Sequence, residues 1–118
     1  NEVDLSESLK KISVELIGTP STFALAQNYP NPFNPGTTIQ YQLPTASRVL
    51  LTIYDLRGKE VRRLVNEQQP SGYYSLRWDG TGATGRQVAS GIYFYRVVTA
   101  PNGEGNSYRA IKKMTVLK

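Results

Sequence analysis

From Thr37 onward the chain is organised by a period of two, interrupted repeatedly by turn-forming residues. Ile39, Tyr41 and Leu43 alternate with Gln40 and Gln42 up to Pro44, the pattern of a strand with one buried face. Val49, Leu51 and Ile53 repeat it, with Thr52 and Tyr54 expected on the outer side, and Tyr74, Leu76 and Trp78 repeat it again. Between these runs stand Asp55-Leu56-Arg57-Gly58 and Pro70-Ser71-Gly72, turn signals in which glycine supplies positive φ. Such a chain cannot gather its apolar residues on a helix of period 3.6; each apolar strand face needs a second sheet across it. Ile92 to Thr99 is almost continuously aromatic or β-branched, as expected of a strand lying centrally or covered on both faces. Val61 and Leu64 break the alternation and predict a bulge. The last strand is expected from Tyr108, after a hairpin tip at Asn102-Gly103, with Met114 and Val116 inward and Lys113 and Thr115 outward. About seven strands, with no strand–helix–strand crossover among them, predict an all-β, antiparallel immunoglobulin-like or fibronectin-type-III-like sandwich.

The residues ahead of this region read differently. Leu5, Leu9 and Ile12 follow helical spacing, whereas Ile12, Val14 and Leu16 alternate like a strand, and Gly18-Thr19-Pro20-Ser21 ends either. Residues 1–22 are therefore expected to be a linker or the end of a preceding domain, with a short strand from Ile12 to Ile17, and residues 23–118 a single domain. In the run Asn28 to Gly36, Pro30, Pro32 and Pro35 lack N–H donors, which excludes a helix or a central strand. An extended edge segment is expected there, pinned to the body by Tyr29 and Phe33. No stretch is apolar for long enough to span a bilayer, and no leader pattern opens the chain; if the parent protein is exported, its signal peptide is expected upstream of Asn1.

Several chemistries are excluded by what the chain lacks. It has no His and no Cys, which removes the usual nucleophile–base pairs and the commonest metal ligand. Its nine acids are scattered, with none paired for glycoside hydrolysis, so the expectation is a non-enzyme without cofactors. Asp79-Gly80-Thr81-Gly82 with Gly85 resembles a calcium or phosphate loop superficially, yet Asp79 is the only acid between Glu67 and Glu104. A turn in which Asp79 bonds its own backbone explains the segment better. The net charge of +5 reads as solvated strand faces, with no nucleic-acid motif beside it. Tyr74, Trp78, Tyr93 and Tyr95 fall in register with core positions, leaving Tyr73 and Phe94 as the candidate sugar-stacking pair.

The strongest signal is a set of ordered blocks. The run Asn28-Tyr29-Pro30-Asn31-Pro32-Phe33-Asn34-Pro35-Gly36, continuing to Pro44, resembles the opening of the type A C-terminal sorting domain of the type IX (Por) secretion system. The resemblance continues through Val49 to Val61, Gly72 to Gly80 and Ala89 to Val97, and closes with Lys112-Lys113-Met114-Thr115-Val116-Leu117-Lys118. The middle blocks are also similar to the immunoglobulin-like domain of the flagellar hook-capping protein. The resemblance implies a sorting module placed last in a larger secreted protein, often a hydrolase or protease, with an upstream catalytic domain on the same polypeptide. It implies transit through the periplasm to the cell surface or medium. The implied partners are the type IX outer-membrane translocon, a sortase-like cysteine protease and surface lipopolysaccharide, with no nucleic acid among them. Matched residue by residue, it assigns translocon recognition to Gly91, Tyr93, Lys113, Met114, Val116 and Lys118, and cleavage to the stretch between Ile17 and Thr22. The last strand is further expected to present an open edge for main-chain pairing with a partner, guarded by its lysines. A generic structural or adhesion domain and a carbohydrate-binding sandwich are the alternative readings.

Overall fold

Each alternating run becomes a strand in the computed structural model, which describes residues 18–101 and 107–118. The strands are β1 (Ala24–Leu25), β2 (Thr37–Leu43), β3 (Ser47–Asp55), β4 (Glu60–Gln69), β5 (Gly72–Trp78), β6 (Gly91–Pro101) and β7 (Tyr108–Val116). They form one sheet of order β1-β2-β5 and a second of order β4-β3-β6-β7, with every ladder antiparallel. This is the expected all-β immunoglobulin-like sandwich. The expected elements within residues 1–17 and the hairpin tip Asn102-Gly103 lie outside the described residues. Gly18 to Thr22 joins no strand.

The period-two faces meet between the sheets. Ile39, Tyr41 and Leu43 from the first sheet, and Val49, Leu51, Ile53, Tyr95, Val97, Met114 and Val116 from the second, are all buried. Each such side chain contributes roughly 1.5–3 kcal/mol on leaving water. Two buried phenols tie the layers together. The Tyr95 hydroxyl donates to the Ala26 carbonyl at 2.6 Å, and the Tyr41 hydroxyl donates to Gln69 Oε1 at 2.6 Å. At one end Trp78 packs edge-on against both Phe33 and Tyr93, and its indole N–H donates to the Thr81 carbonyl at 2.9 Å.

The β3–β4 ladder shows why Val61 and Leu64 break the pattern. The register passes from Leu51↔Val65 to Thr52↔Arg63, omitting Leu64, and from Ile53↔Arg62 to Tyr54↔Glu60, omitting Val61. Each is the extra residue of a bulge, which twists this edge strand away from a flat docking template.

Two expectations are corrected. Thr52 occupies the outer face as read, but it is buried, because its cross-strand neighbours there are Arg63 and Arg96, whose long stems cover a short side chain. Tyr29 does not pin the proline segment: its ring is 80% exposed. Its main chain pairs with Thr38 instead, and the buried anchor is the neighbouring Asn28.

Desolvation pushes the ionisation of Tyr41 and Tyr95 up to about 12, against 10.0 for a free phenol. Above pH ~10 the unfolded chain therefore releases protons that the folded chain retains. This contribution to stability is complete below that pH and is lost as pH rises toward 12. The thermal midpoint, followed by circular dichroism, should accordingly fall between pH 10 and 12. In Tyr95→Phe the fall should be shallower, after a loss at neutral pH of about 1–3 kcal/mol for the orphaned Ala26 carbonyl. An unchanged alkaline slope in that variant would clear Tyr95 of the effect.

Candidate functional site

The β6–β7 register decides which of the candidate recognition residues meet. Gly91 stands opposite Val116, Tyr93 opposite Met114, and Phe94 opposite Lys113. Five of the six, Gly91, Tyr93, Lys113, Met114 and Val116, are thus gathered on two paired strands, and Lys118 follows two residues beyond β7. Their surroundings divide them. Tyr93, Met114 and Val116 are buried and shape the site from within, whereas Lys113 and Lys118 are exposed and available for contact. The Tyr93 hydroxyl donates to the Ala89 carbonyl at 2.8 Å; burial raises its ionisation first, and the nearby Asp55 raises it further. Gly91 opens β6 at φ +150° with no neighbour crowding it, so its requirement is conformational rather than steric.

The edge of β7 is not open as expected. Residues 27–36 run along it as a strap. Phe33 N–H donates to the Thr115 carbonyl at 3.1 Å, and Leu117 N–H donates to the Phe33 carbonyl at 3.0 Å, making a parallel bridge between Phe33 and Val116. Thr115 N–H donates to Asn31 Oδ1 at 2.9 Å, and Gln27 Nε2 donates to the Lys113 carbonyl at 2.7 Å. The outward main-chain groups of the last turns of β7 are therefore already used. The prolines account for the spacing: lacking N–H groups, they leave Asn31 and Phe33 between them to make the bonds. The strap is fixed in turn by Asn28, whose Nδ2 donates to Thr37 Oγ1 at 3.0 Å, and by Thr37 Oγ1–H donating to the Pro30 carbonyl at 2.9 Å. Gly80 lets the strap pass. At φ +80° it is left-handed, and a Cβ there would lie 2.8 Å from the Pro35 carbonyl.

Beside this clasped strand lies a depression of about 430 Å³ lined by Asp55, Leu56, Arg57, Ala89, Ser90, Gly91, Ile92 and Tyr93. Leu56, Ile92 and Leu117 are exposed at this end of the sandwich, with Arg57 and Lys118 exposed near them in sequence. The end is thus apolar and basic together.

The remaining candidates lie elsewhere. Tyr73 is on β5 and Phe94 on β6, in different sheets and each on its outer face, so they form no common stacking platform. Asp79 closes its own turn, Oδ1 accepting from the Thr81 backbone N–H at 3.1 Å and from the Thr81 hydroxyl. Those bonds, the hydroxyl foremost, hold its carboxyl below the usual carboxylate range. Asn28, Asn31 and Leu117 were not singled out from the sequence. The available signal was the alternation of asparagine with proline, since asparagine readily bonds neighbouring backbone.

The family model described as FlgD Ig-like domain matches residues 31–103. Among solved structures, the chain is similar to dimeric latent PorU from Porphyromonas gingivalis, at 23% identity and a TM-score of 0.65. That match covers 83% of this chain but only 10% of PorU. It is similar to FlgD from P. aeruginosa at 27% identity and a TM-score of 0.55, covering 68% of this chain and 61% of that one. FlgD from Xanthomonas campestris, described with hook capping essential for flagellar assembly, matches at 20% identity and a TM-score of 0.58, covering 89% and 75%. The PorU and Xanthomonas likenesses are likenesses of fold. None of the curated proteins matches this sequence.

If the strap holds the last strand, Phe33→Ala should loosen that strand first. Hydrogen exchange at the Leu117 and Thr115 amides should accelerate more than at Tyr95, alongside a stability loss of about 3–5 kcal/mol. Uniform acceleration across β6 and β7 would show that the strap has no separate hold.

Proposed function

The chain belongs to the FlgD Ig-like domain family, and we propose that within it this domain is a non-catalytic sorting module directing a larger secreted protein through the type IX system to the cell surface. The observation that carries this reading is convergence. The strap, the β3–β4 turn, the Trp78–Gly80 corner, the start of β6 and the end of β7 all bear the blocks that resemble the sorting domain. All of them meet at one end of the sandwich. Thr37 pairs with Trp78, Asp55 with Tyr93, Gly91 with Val116, and Phe33 bridges to Val116. Residues spread along the sequence thus build one apolar and basic surface suited to a protein receptor.

The closed β7 edge supports a particular mode of recognition. A partner meeting this end encounters side chains, with Lys113, Leu117 and Lys118 in front and Gly91, Tyr93, Met114 and Val116 fixing their placement. Strand addition along the clasped part of β7 would first require the strap to leave. In PorU the same fold occupies a tenth of the chain, which suits a domain carried by a much longer polypeptide. On this reading the outer-membrane translocon is the receptor, and a sortase-like cysteine protease cleaves between Ile17 and Thr22, a stretch in which Thr19, Ser21 and Thr22 are exposed. Surface lipopolysaccharide then receives the released cargo. A second reading, a structural immunoglobulin-like module within a larger assembly, is favoured by the likeness to FlgD.

Fusion of the chain to a secreted reporter, in a bacterium that carries type IX secretion, separates the two. The combined variant Lys113→Glu, Leu117→Ser, Lys118→Glu changes only exposed residues and should leave stability within about 0.5 kcal/mol of the parent. Exported reporter should nevertheless fall by about tenfold or more, the effect of losing roughly 1.4 kcal/mol of receptor affinity. Undiminished export of the variant would favour the structural module.

A further inference from the structure

We propose that the outer face of the second sheet docks an extended polypeptide segment in which acidic and apolar residues alternate. The face is built by the residues of β3, β6 and β7 that point away from the sandwich. Tyr54 stands opposite Phe94, Arg96 opposite Ile111, and Lys113 again opposite Phe94. Tyr54, Leu56, Phe94, Arg96 and Ile111, with Asp55 and Gly58 at the turn, line a groove of about 250 Å³. That is smaller than the pockets that enclose whole small molecules, and of a size for one or two side chains of a macromolecular partner. Ile111 is 58% exposed and Leu56 67% exposed, so both apolar side chains are open to a partner.

Charge decides the chemistry of the occupant. Arg96 lies over the Tyr54 ring, 5.0 Å from its centroid, and its Nε is buried without a hydrogen-bond partner. No ion pair engages it among the described residues. Two carboxylates beside this groove, among the described residues, are already occupied. Glu60 pairs with Arg63 at 3.1 Å, and Asp55 Oδ1 accepts from the N–H groups of Arg57 and Lys59 at 2.9 Å. A guanidinium stacked on an aromatic ring, weakly hydrated and unpaired, favours a carboxylate held in its fork. Along β7, Arg109, Ile111 and Lys113 recur at every second position on this same face, about 6.6 Å apart. A partner in extended conformation with carboxylate, apolar side chain and carboxylate at every second residue matches that spacing.

The test is binding of a fluorescein-labelled peptide, Glu-Ser-Leu-Ser-Glu-Ser-Phe, to the full chain, followed by anisotropy, with backbone amide shifts mapped by NMR. Saturable binding is expected, with shifts centred on Phe94, Arg96 and Ile111. Affinity should drop about tenfold or more in Arg96→Ala and in Ile111→Ser. Arg96→Lys should also weaken it, since it keeps the charge but loses the fork. Arg77→Ala, on the outer face of the other sheet, should change it little. The exposed site of Ile111→Ser keeps the test valid if Arg96→Ala unfolds. An equal loss from Arg77→Ala would overturn the proposal. So would undiminished binding of the same peptide with Gln in place of Glu, or binding to phosphatidylglycerol vesicles with none to the peptide. The experiment needs no export system, so its failure and that of the sorting role are read separately.

Discussion

An edge strand leaves half its main-chain groups without partners, and the organisation of this protein depends on how β7 escapes that condition. The strap from Gln27 to Gly36 closes the lower part of its edge through Asn31, Phe33 and Gln27. Hydrogen bonds of this kind contribute only about 0.5–1.5 kcal/mol each. Burial of the Phe33 ring against Trp78 contributes roughly 1.5–3 kcal/mol in one step. The ring and the four bonds therefore contribute on comparable scales, and the bonds also set the register. Because Trp78 also packs on Tyr93, and Tyr93 faces Met114 across the β6–β7 ladder, strap, last strand and the start of β6 behave as one packed unit.

That unit also fixes the placement of the residues around it. Met114 and Val116 are completely or nearly buried, so the last residues of β7 are part of the body. Exposed Lys113, Leu117 and Lys118 project from a fixed base. In the sorting role proposed above, a receptor would meet a preorganised surface and be spared the ordering of a free tail. The closed part of the edge is also unavailable for pairing with other copies of the protein.

The two outer faces have different characters. The first sheet presents Gln40, Ser75 and Arg77 around a single exposed tyrosine, Tyr73. The second presents arginines and a lysine interleaved with Tyr54, Phe94 and Ile111. Sequence periodicity identified Tyr73 and Phe94 as outward but could not say that they belong to different sheets. Alternation assigns a residue to a face of its own strand, and only strand order assigns that strand to a layer.

The same distinction runs through the molecule. Local chemistry determined the strands, the turn at Asp55–Gly58, the bulges at Val61 and Leu64 and the inward set Tyr93, Tyr95, Met114 and Val116. Each depends on steric and hydrophobic preferences that act within a few residues. Pro30, Pro32 and Pro35 likewise declared an extended, non-ladder segment. What the segment extends along was decided only in three dimensions. Phe33 and Val116 are far apart in the chain, and their bridge exists because the sandwich brings the first sheet's entry beside the second sheet's last strand. The burial of Thr52 under Arg63 and Arg96, and the unpaired guanidinium above Tyr54, have the same origin. They arise from cross-strand neighbours that no local pattern encodes.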